Sequence, residues 1–236
     1  MKKLFALISL LGLVAGMGGA LNASEEAGDT QSKLDTIVLY GDFPQDGNNH
    51  TVSFKFSATP GEKFIIKWYW DKRDTILVAT TDEMEASYTI PGNKQTLDIV
   101  FSALSPTGHI RSLNIDSAYT YNCIIFKSCP ELTDVNVSHN YLYTMSFYAC
   151  PALKFLDCSH NKLSGWYIGE PLSALTYLDC SHNNINYFYP TFSSLRTLDI
   201  SYNRELRQFL RDYCPSLTDL TICCNDSLET LYLSNL

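Results

Sequence analysis

The residues that could carry chemistry here are eight cysteines, five histidines and a phrase ending in Ser-His-Asn that recurs along the second half of the chain. His139, His160 and His182 follow one another at intervals of 21 and 22 residues. Imidazoles brought a few ångströms apart by a repeat could share zinc or copper. They could equally be one polar surface position that the repeat copies. Asn136, Asp157 and Asp179 recur three residues ahead of them, and Asp199 three ahead of Tyr202, with Ser138, Ser159, Ser181 and Ser201 in between. Carboxylates stacked in this way repel and raise one another's pKa. Calcium or a basic partner could relieve that cost, and so could the seryl hydroxyls and backbone amides. Ser and His as direct neighbours on a strand point to opposite faces, so they do not form a nucleophile–base pair. No nucleotide-binding, zinc-protease or serine-hydrolase motif occurs. The expectation is therefore no enzyme, no catalytic residue, no cofactor and no resident metal.

The cysteines divide by position. Cys158 and Cys180 stand where other copies of the phrase carry Val137, Ile200 and Ile222. Cys129, Cys150 and Cys214 each precede a proline. A Cys that interchanges with Val and Ile is a small buried hydrophobe, which predicts core thiols, with stacked disulfides as the alternative. No CxxC pair occurs, which argues against metal ligation. Cys123 lies at a variable position, Cys223 and Cys224 replace the Ser and His of the other turns, and all three are expected to be more exposed and more reactive.

These columns follow from a repeat. Segments 132–140, 153–161, 175–183, 195–203 and 217–225 superimpose without a gap, each with apolar residues at positions 1, 4 and 6 and Asn at position 9. Ile110, Leu113, Ile115 and Ala118 form an earlier copy without the Asn. Looser copies lie between them, at Tyr121, Ile124, Phe126 and Cys129, at Leu142, Met145, Phe147 and Cys150, and at Leu163, Trp166 and Ile168. Leu228, Leu231, Leu233 and Leu236 end the series, while Pro190 and Arg211 disturb two of the intermediate copies. The pattern predicts a narrow coil of about six turns, with a parallel strand on one side and a strand-like run on the other. At one inter-strand spacing of ~4.8 Å per turn it would be roughly 30 Å long.

Ahead of the coil the period is two. Runs at 37–40, 51–58, 63–70, 75–81, 86–90 and 96–103, separated by Pro60-Gly61, Asp71 to Asp74 and Pro91-Gly92-Asn93, predict six short strands in an antiparallel sandwich. The fold class is thus mainly β: a small sandwich over 36–105, then a parallel-strand solenoid over 106–236. Residues 1–23 read as a secretory signal, with Lys2 and Lys3 before an apolar run too short to span a bilayer. Residues 24–35 read as a flexible leader. With Lys2 and Lys3 removed, 15 Lys+Arg face 25 Asp+Glu, so the charge moves from -8 to near -10. An acidic chain is a poor nucleic-acid partner, and no other stretch is apolar enough to cross a membrane.

The LxxLxLxxN repeat resembles the short, nested leucine-rich repeats of secreted bacterial proteins known as IRREKO, and LDCSHN at 156–161 and 178–183 is close to the LDCSNN phrase of Bacteroidetes surface proteins. The preceding region resembles a PKD-like sandwich, with WYWDKRDT at 68–75 in place of its W-G-D-G-T turn and lacking that turn's glycines. The resemblance implies extracellular recognition or adhesion. The expected function is binding of a protein or glycan through the repeat face, on the cell surface or secreted. Its expected contacts are Phe155, Tyr177, Asp157, Asp179, Asp199, Ser159, Ser181, His139, His160 and His182. The competing readings are a carbohydrate-binding accessory, stacking sugars on Trp68, Tyr69 and Trp70, and a structural surface component. The apolar run at Leu236 has no polar cap, which predicts self-association at that end.

Overall fold

The computed structural model describes residues 34–42, 47–69, 73–93, 96–116, 121–165, 171–189, 192–210 and 214–233. The signal and most of the leader lie outside the described residues, as do Trp70, Trp166, Ile168, Pro190, Arg211 and Leu236.

Six strands come first: β1 (Thr36–Asp42), β2 (His50–Ala58), β3 (Lys63–Trp68), β4 (Arg73–Val78), β5 (Met84–Ile90) and β6 (Thr96–Ala103). In β2 the alternation does what a half-buried strand requires: Val52, Phe54, Phe56 and Ala58 turn inward while Ser53 and Lys55 face out. Phe101 on β6 meets Phe54, Phe56 and Phe64 with ring centroids 5.5, 4.6 and 5.6 Å away. That aromatic cluster fills the space between two sheets.

The parallel coil follows. One side carries β7 (Ile110–Asn114), β9 (Asp134–Asn136), β11 (Phe155–Asp157), β12 (Tyr177–Asp179), β13 (Thr197–Asp199) and β15 (Asp219–Thr221), paired in unbroken register. The other side carries β8 (Tyr121–Lys127), β10 (Thr144–Tyr148), β14 (Gln208–Leu210) and β16 (Thr230–Tyr232). No helix occurs among the described residues. Position 4 of each repeat (Val135, Leu156, Leu178, Leu198) is buried, and position 6 stacks Val137, Cys158, Cys180 and Ile200 in a second buried column. The last turn is looser, with Leu220, Ile222 and Leu228 only partly buried.

Both sheets run through from sandwich to coil. β7 pairs parallel with β9 and antiparallel with β2, while β8 pairs parallel with β10 and antiparallel with β1. The change of period at Ile110 is therefore a change of pairing partner within sheets that continue. At this junction the buried Asp35 accepts the Ile110 amide at 2.8 Å and faces His109 Nδ1 at 3.1 Å. Burial raises its pKa, against the lowering pull of these two partners.

Candidate functional site

Four successive coils turn away from their strands by one device. The Asx residue ending the strand accepts the amide two residues on: Asn136 from Ser138 at 3.0 Å, Asp157 from Ser159 at 3.0 Å, Asp179 from Ser181 at 2.9 Å and Asp199 from Ser201 at 2.9 Å. The hydroxyls of Ser138, Ser159 and Ser201 donate to the same oxygens. Since Asn136 serves as well as an aspartate, the turn needs the oxygen and not the charge. Ser159 and Ser181 are each only 6% exposed. Both are turn-forming groups, with their amides engaged by the Asx oxygen.

Next comes a residue in the left-handed region: His139 (φ 52), His160 (φ 53), His182 (φ 53), Tyr202 (φ 56) and Cys224 (φ 60). Such backbone costs a non-glycine residue about 1 kcal/mol. The Ser-His pair thus sits in a tight turn rather than on the strand, and the outcome is still a buried Ser beside an outward His. Position 9 follows with an amide ladder. Asn183 Nδ2 donates to the carbonyls of Cys158, Cys180 and Ser181 at 3.0, 3.1 and 3.0 Å, and its Oδ1 accepts the Leu163 amide at 2.9 Å. Asn161 and Asn203 repeat the arrangement.

The turn lines up the position 8 rings. His139, His160, His182 and Tyr202 stack with centroids 4.1, 4.0 and 4.1 Å apart and planes within 12°. Parallel stacked imidazoles aim their nitrogens side by side rather than at a common point, and no group of three or more metal-ligating side chains occurs among the described residues. The column borders an open groove of about 580 Å³ whose other wall includes Tyr141, Lys162, Asn184 and Arg204. Lys162 Nζ stands 4.4 Å from the Tyr141 ring centroid and 5.5 Å from that of Tyr143. Burial, and after it the neighbouring His182 and His139, lower the pKa of His160, against Asp179 and Asp157.

On the strand side, Phe155 and Tyr177 sit at paired positions of β11 and β12 and stack at 4.6 Å with planes 9° apart. Each is half-buried. Their neighbours in the same row are Asp134 and Thr197. A hollow of about 290 Å³ opens beside Phe155, bounded by Glu83, Ser112, Asn114, Asp134 and Asn136. Asp157, Asp179 and Asp199 form the adjoining half-buried row. The pKa of Asp179 is raised chiefly by burial; Ser181 opposes this, and Asp157 and Asp199 add a smaller push. Mutual repulsion, the cause expected from the sequence, is therefore the lesser one.

All eight cysteines are free thiols. Five are buried, and Cys129, Cys150, Cys158 and Cys180 donate to the carbonyls of Lys127, Tyr148, Asp179 and Asp199 at 3.4, 3.5, 3.3 and 3.4 Å. Cys123 departs from its expected reactivity. It is partly covered, and burial pushes its thiol up to about 11. Cys223 and Cys224 are exposed as expected, but the Cys224 side chain raises the Cys223 pKa, so Cys223 is exposed without being activated. Native alkylation is accordingly expected to label Cys223 and Cys224 within minutes and the five buried thiols only on unfolding. Mass analysis counting more than three labelled sites on the folded chain would contradict this packing.

Trp68 is 2% exposed, stacks on Tyr88 at 4.9 Å and donates its indole N–H to Thr75 at 3.1 Å. It therefore offers no sugar-stacking surface, although Tyr69 beside it is exposed. The columns themselves were legible from spacing alone. The groove wall of Lys162 and Arg204 was not, because its members come from different turns and share no residue type. Comparison with protein-family models, curated proteins and solved structures yields no match for this chain.

Proposed function

We propose that this chain is an exported, non-catalytic binding protein of the leucine-rich-repeat type, its coil preceded by a PKD-like sandwich, and that it recognises a protein or glycan at the cell surface through the strand face of the coil. The observation that carries the reading is the stacked Phe155–Tyr177 pair on that face. Two aromatic rings held half-exposed on adjacent rungs supply a rigid apolar anchor at small entropic cost. Because the rings cover each other's faces, they present edges outward, which suits packing against a partner's side chains better than stacking on a flat sugar. The acidic hollow beside Phe155, with Glu83 and Asp134 on its rim, suits a basic side chain from such a partner.

The test is capture from surface extracts with the full chain, run beside a Phe155→Ala/Tyr177→Ala variant of matched thermal stability. A specific partner that the variant loses, with affinity reduced about 30-fold or more as for a hot-spot pair, is the expected result. A partner retained undiminished by the variant would move the binding site elsewhere, and no partner at all would favour the structural surface role.

A further inference from the structure

We propose that the groove along the His139–His160–His182–Tyr202 column is an anion site that takes a linear acidic glycan, with its carboxylate or sulfate groups laid along the column and against Lys162 and Arg204. The inference rests on the reading of the coil as a binding platform but uses a different surface from the Phe155–Tyr177 face.

Geometry carries it first. The stacked rings cover one another's faces, so the column meets the groove as a ribbon of ring edges: imidazole nitrogens three times over, then a phenol. Four rungs at the usual inter-strand spacing make this ribbon about 14 Å long, the reach of a short oligosaccharide. The groove is open rather than enclosed, which favours a polymer over a small molecule.

Charge points the same way. The charged side chains lining the groove are Lys162, Arg204 and Glu205, a balance of +1 before Asp226, 3.7 Å from Arg204, is counted, on a chain whose formal charge is -8. Imidazole is the side chain whose charge responds to mildly acidic pH, and burial with the neighbouring His182 and His139 lowers the pKa of His160. The groups that oppose or share this charge are Asp157 and Asp179 below His160, Asp226 at 3.7 Å from Arg204, Glu205 in the groove, and Tyr202 next in the stack. An anion bound along the ribbon favours the protonated imidazoles, and by linkage it binds more tightly at the lower pH.

A glycan fits better than an acidic peptide because the backbone here is already paired. The amides of His139, His160, His182 and Tyr202 donate to Ser159, Ser181, Ser201 and Cys223 carbonyls at 3.0–3.1 Å. A peptide would find no free strand edge to join, whereas hydroxyls and anionic groups would find side-chain donors.

Titration of the full chain with oligogalacturonate and with sulfated dextran oligomers tests the proposal, beside neutral maltooligosaccharide and polyglutamate. Binding of at least one acidic glycan is expected, about 5-fold tighter or more at pH 5.5 than at 7.5, and weaker in high salt. The pair that responds identifies carboxylate or sulfate as the preferred anion. His139→Asn/His160→Asn/His182→Asn, which keeps a residue tolerant of left-handed backbone, should abolish the pH dependence. Lys162→Ala/Arg204→Ala should weaken binding about 5-fold or more at both pH values. The proposal is overturned by no acidic-glycan binding at either pH, by neutral glycan or polyglutamate binding as tightly, or by pH dependence surviving in the triple variant. If circular dichroism shows the triple variant unfolded, the Lys162/Arg204 pair decides, and undiminished affinity there overturns it. A partner lost on Phe155/Tyr177 substitution while acidic glycans fail would sink this inference and leave the proposed function standing.

Discussion

Asn183→Ala is expected to destabilise the chain by about 3–4 kcal/mol, one of the largest effects available to a single polar side chain here. The Leu163 amide loses its acceptor, Asn183 Oδ1 at 2.9 Å, and is left buried. An orphaned buried N–H costs about 1–3 kcal/mol. The three carbonyls that Asn183 serves are each kept by a second donor: Cys158 by Asn161, Cys180 by Asn203, and Ser181 by the His160 amide. They weaken rather than fail, which holds the total below a sum of four orphans. At this chain length each kcal/mol moves Tm by about 2–4 °C, so a fall of about 6–15 °C is expected in a thermal melt. Asn183→Asp separates acceptor from donor. It keeps an oxygen for Leu163 but buries a charge, which raises the folded-state pKa of the new carboxyl above its unfolded value. Its stability is thus best below the unfolded value and is lost as pH rises through the folded one, so the variant should recover on acidification. A loss under about 1 kcal/mol for Asn183→Ala would show that the ladder follows the fold rather than holding it.

How much of this was readable in advance depends on whether a residue acts within its own repeat. The six strands of the sandwich and the register of the coil follow from apolar period and from the position of Asn, and both are local signals. β2 and β6 fall at or within one residue of the expected bounds, and the Cys158–Cys180 column is buried because the pattern had already placed it with Val137 and Ile200. The inward setting of the seryls was not legible because period gives a residue's place but not its hydrogen bond: Ser159 follows Asp157 by two residues, and that spacing closes an Asx turn that draws the hydroxyl inward. Cys123 failed because its cover comes from β1, where Tyr40 is its paired residue, 83 positions away in sequence. His160 acquired its setting from rings one coil above and one below. Left-handed backbone at position 8 carried only a weak signal, since His is enriched there with Asn and Asp but Tyr202 and Cys224 take the same conformation.

The continuity of the sheets makes a second strong demand on behaviour. Phe101→Ala removes a fully buried ring from contact with Phe54, Phe56 and Phe64, which costs about 3–5 kcal/mol. If sandwich and coil were independent, that loss would melt the sandwich and spare the coil. The pairing of β1 with β8 over Thr36–Lys127 to Tyr40–Cys123, and of β2 with β7, instead makes the first coils an extension of the sandwich sheets. Phe101→Ala should therefore lower one shared transition, with the far-UV signal and the release of Cys158 and Cys180 to a thiol reagent moving together. A piece cut at 110–236 should aggregate. It would expose the edges of β7 and β8 and strip Ile124 and Phe126 of the strand that carries Ile37 and Leu39. Thiol release that lags the far-UV change in Phe101→Ala, or a soluble and cooperatively folded 110–236 piece, would show the coil standing without the sandwich. The physical reason to expect otherwise is that a repeat buries its apolar side only by stacking. Here the first rung, β7 with β8, stacks on β2 and β1 rather than on another repeat. The sandwich thus does for this end of the coil what a terminal cap does for other solenoids, and damage to its core reaches the columns that line the groove.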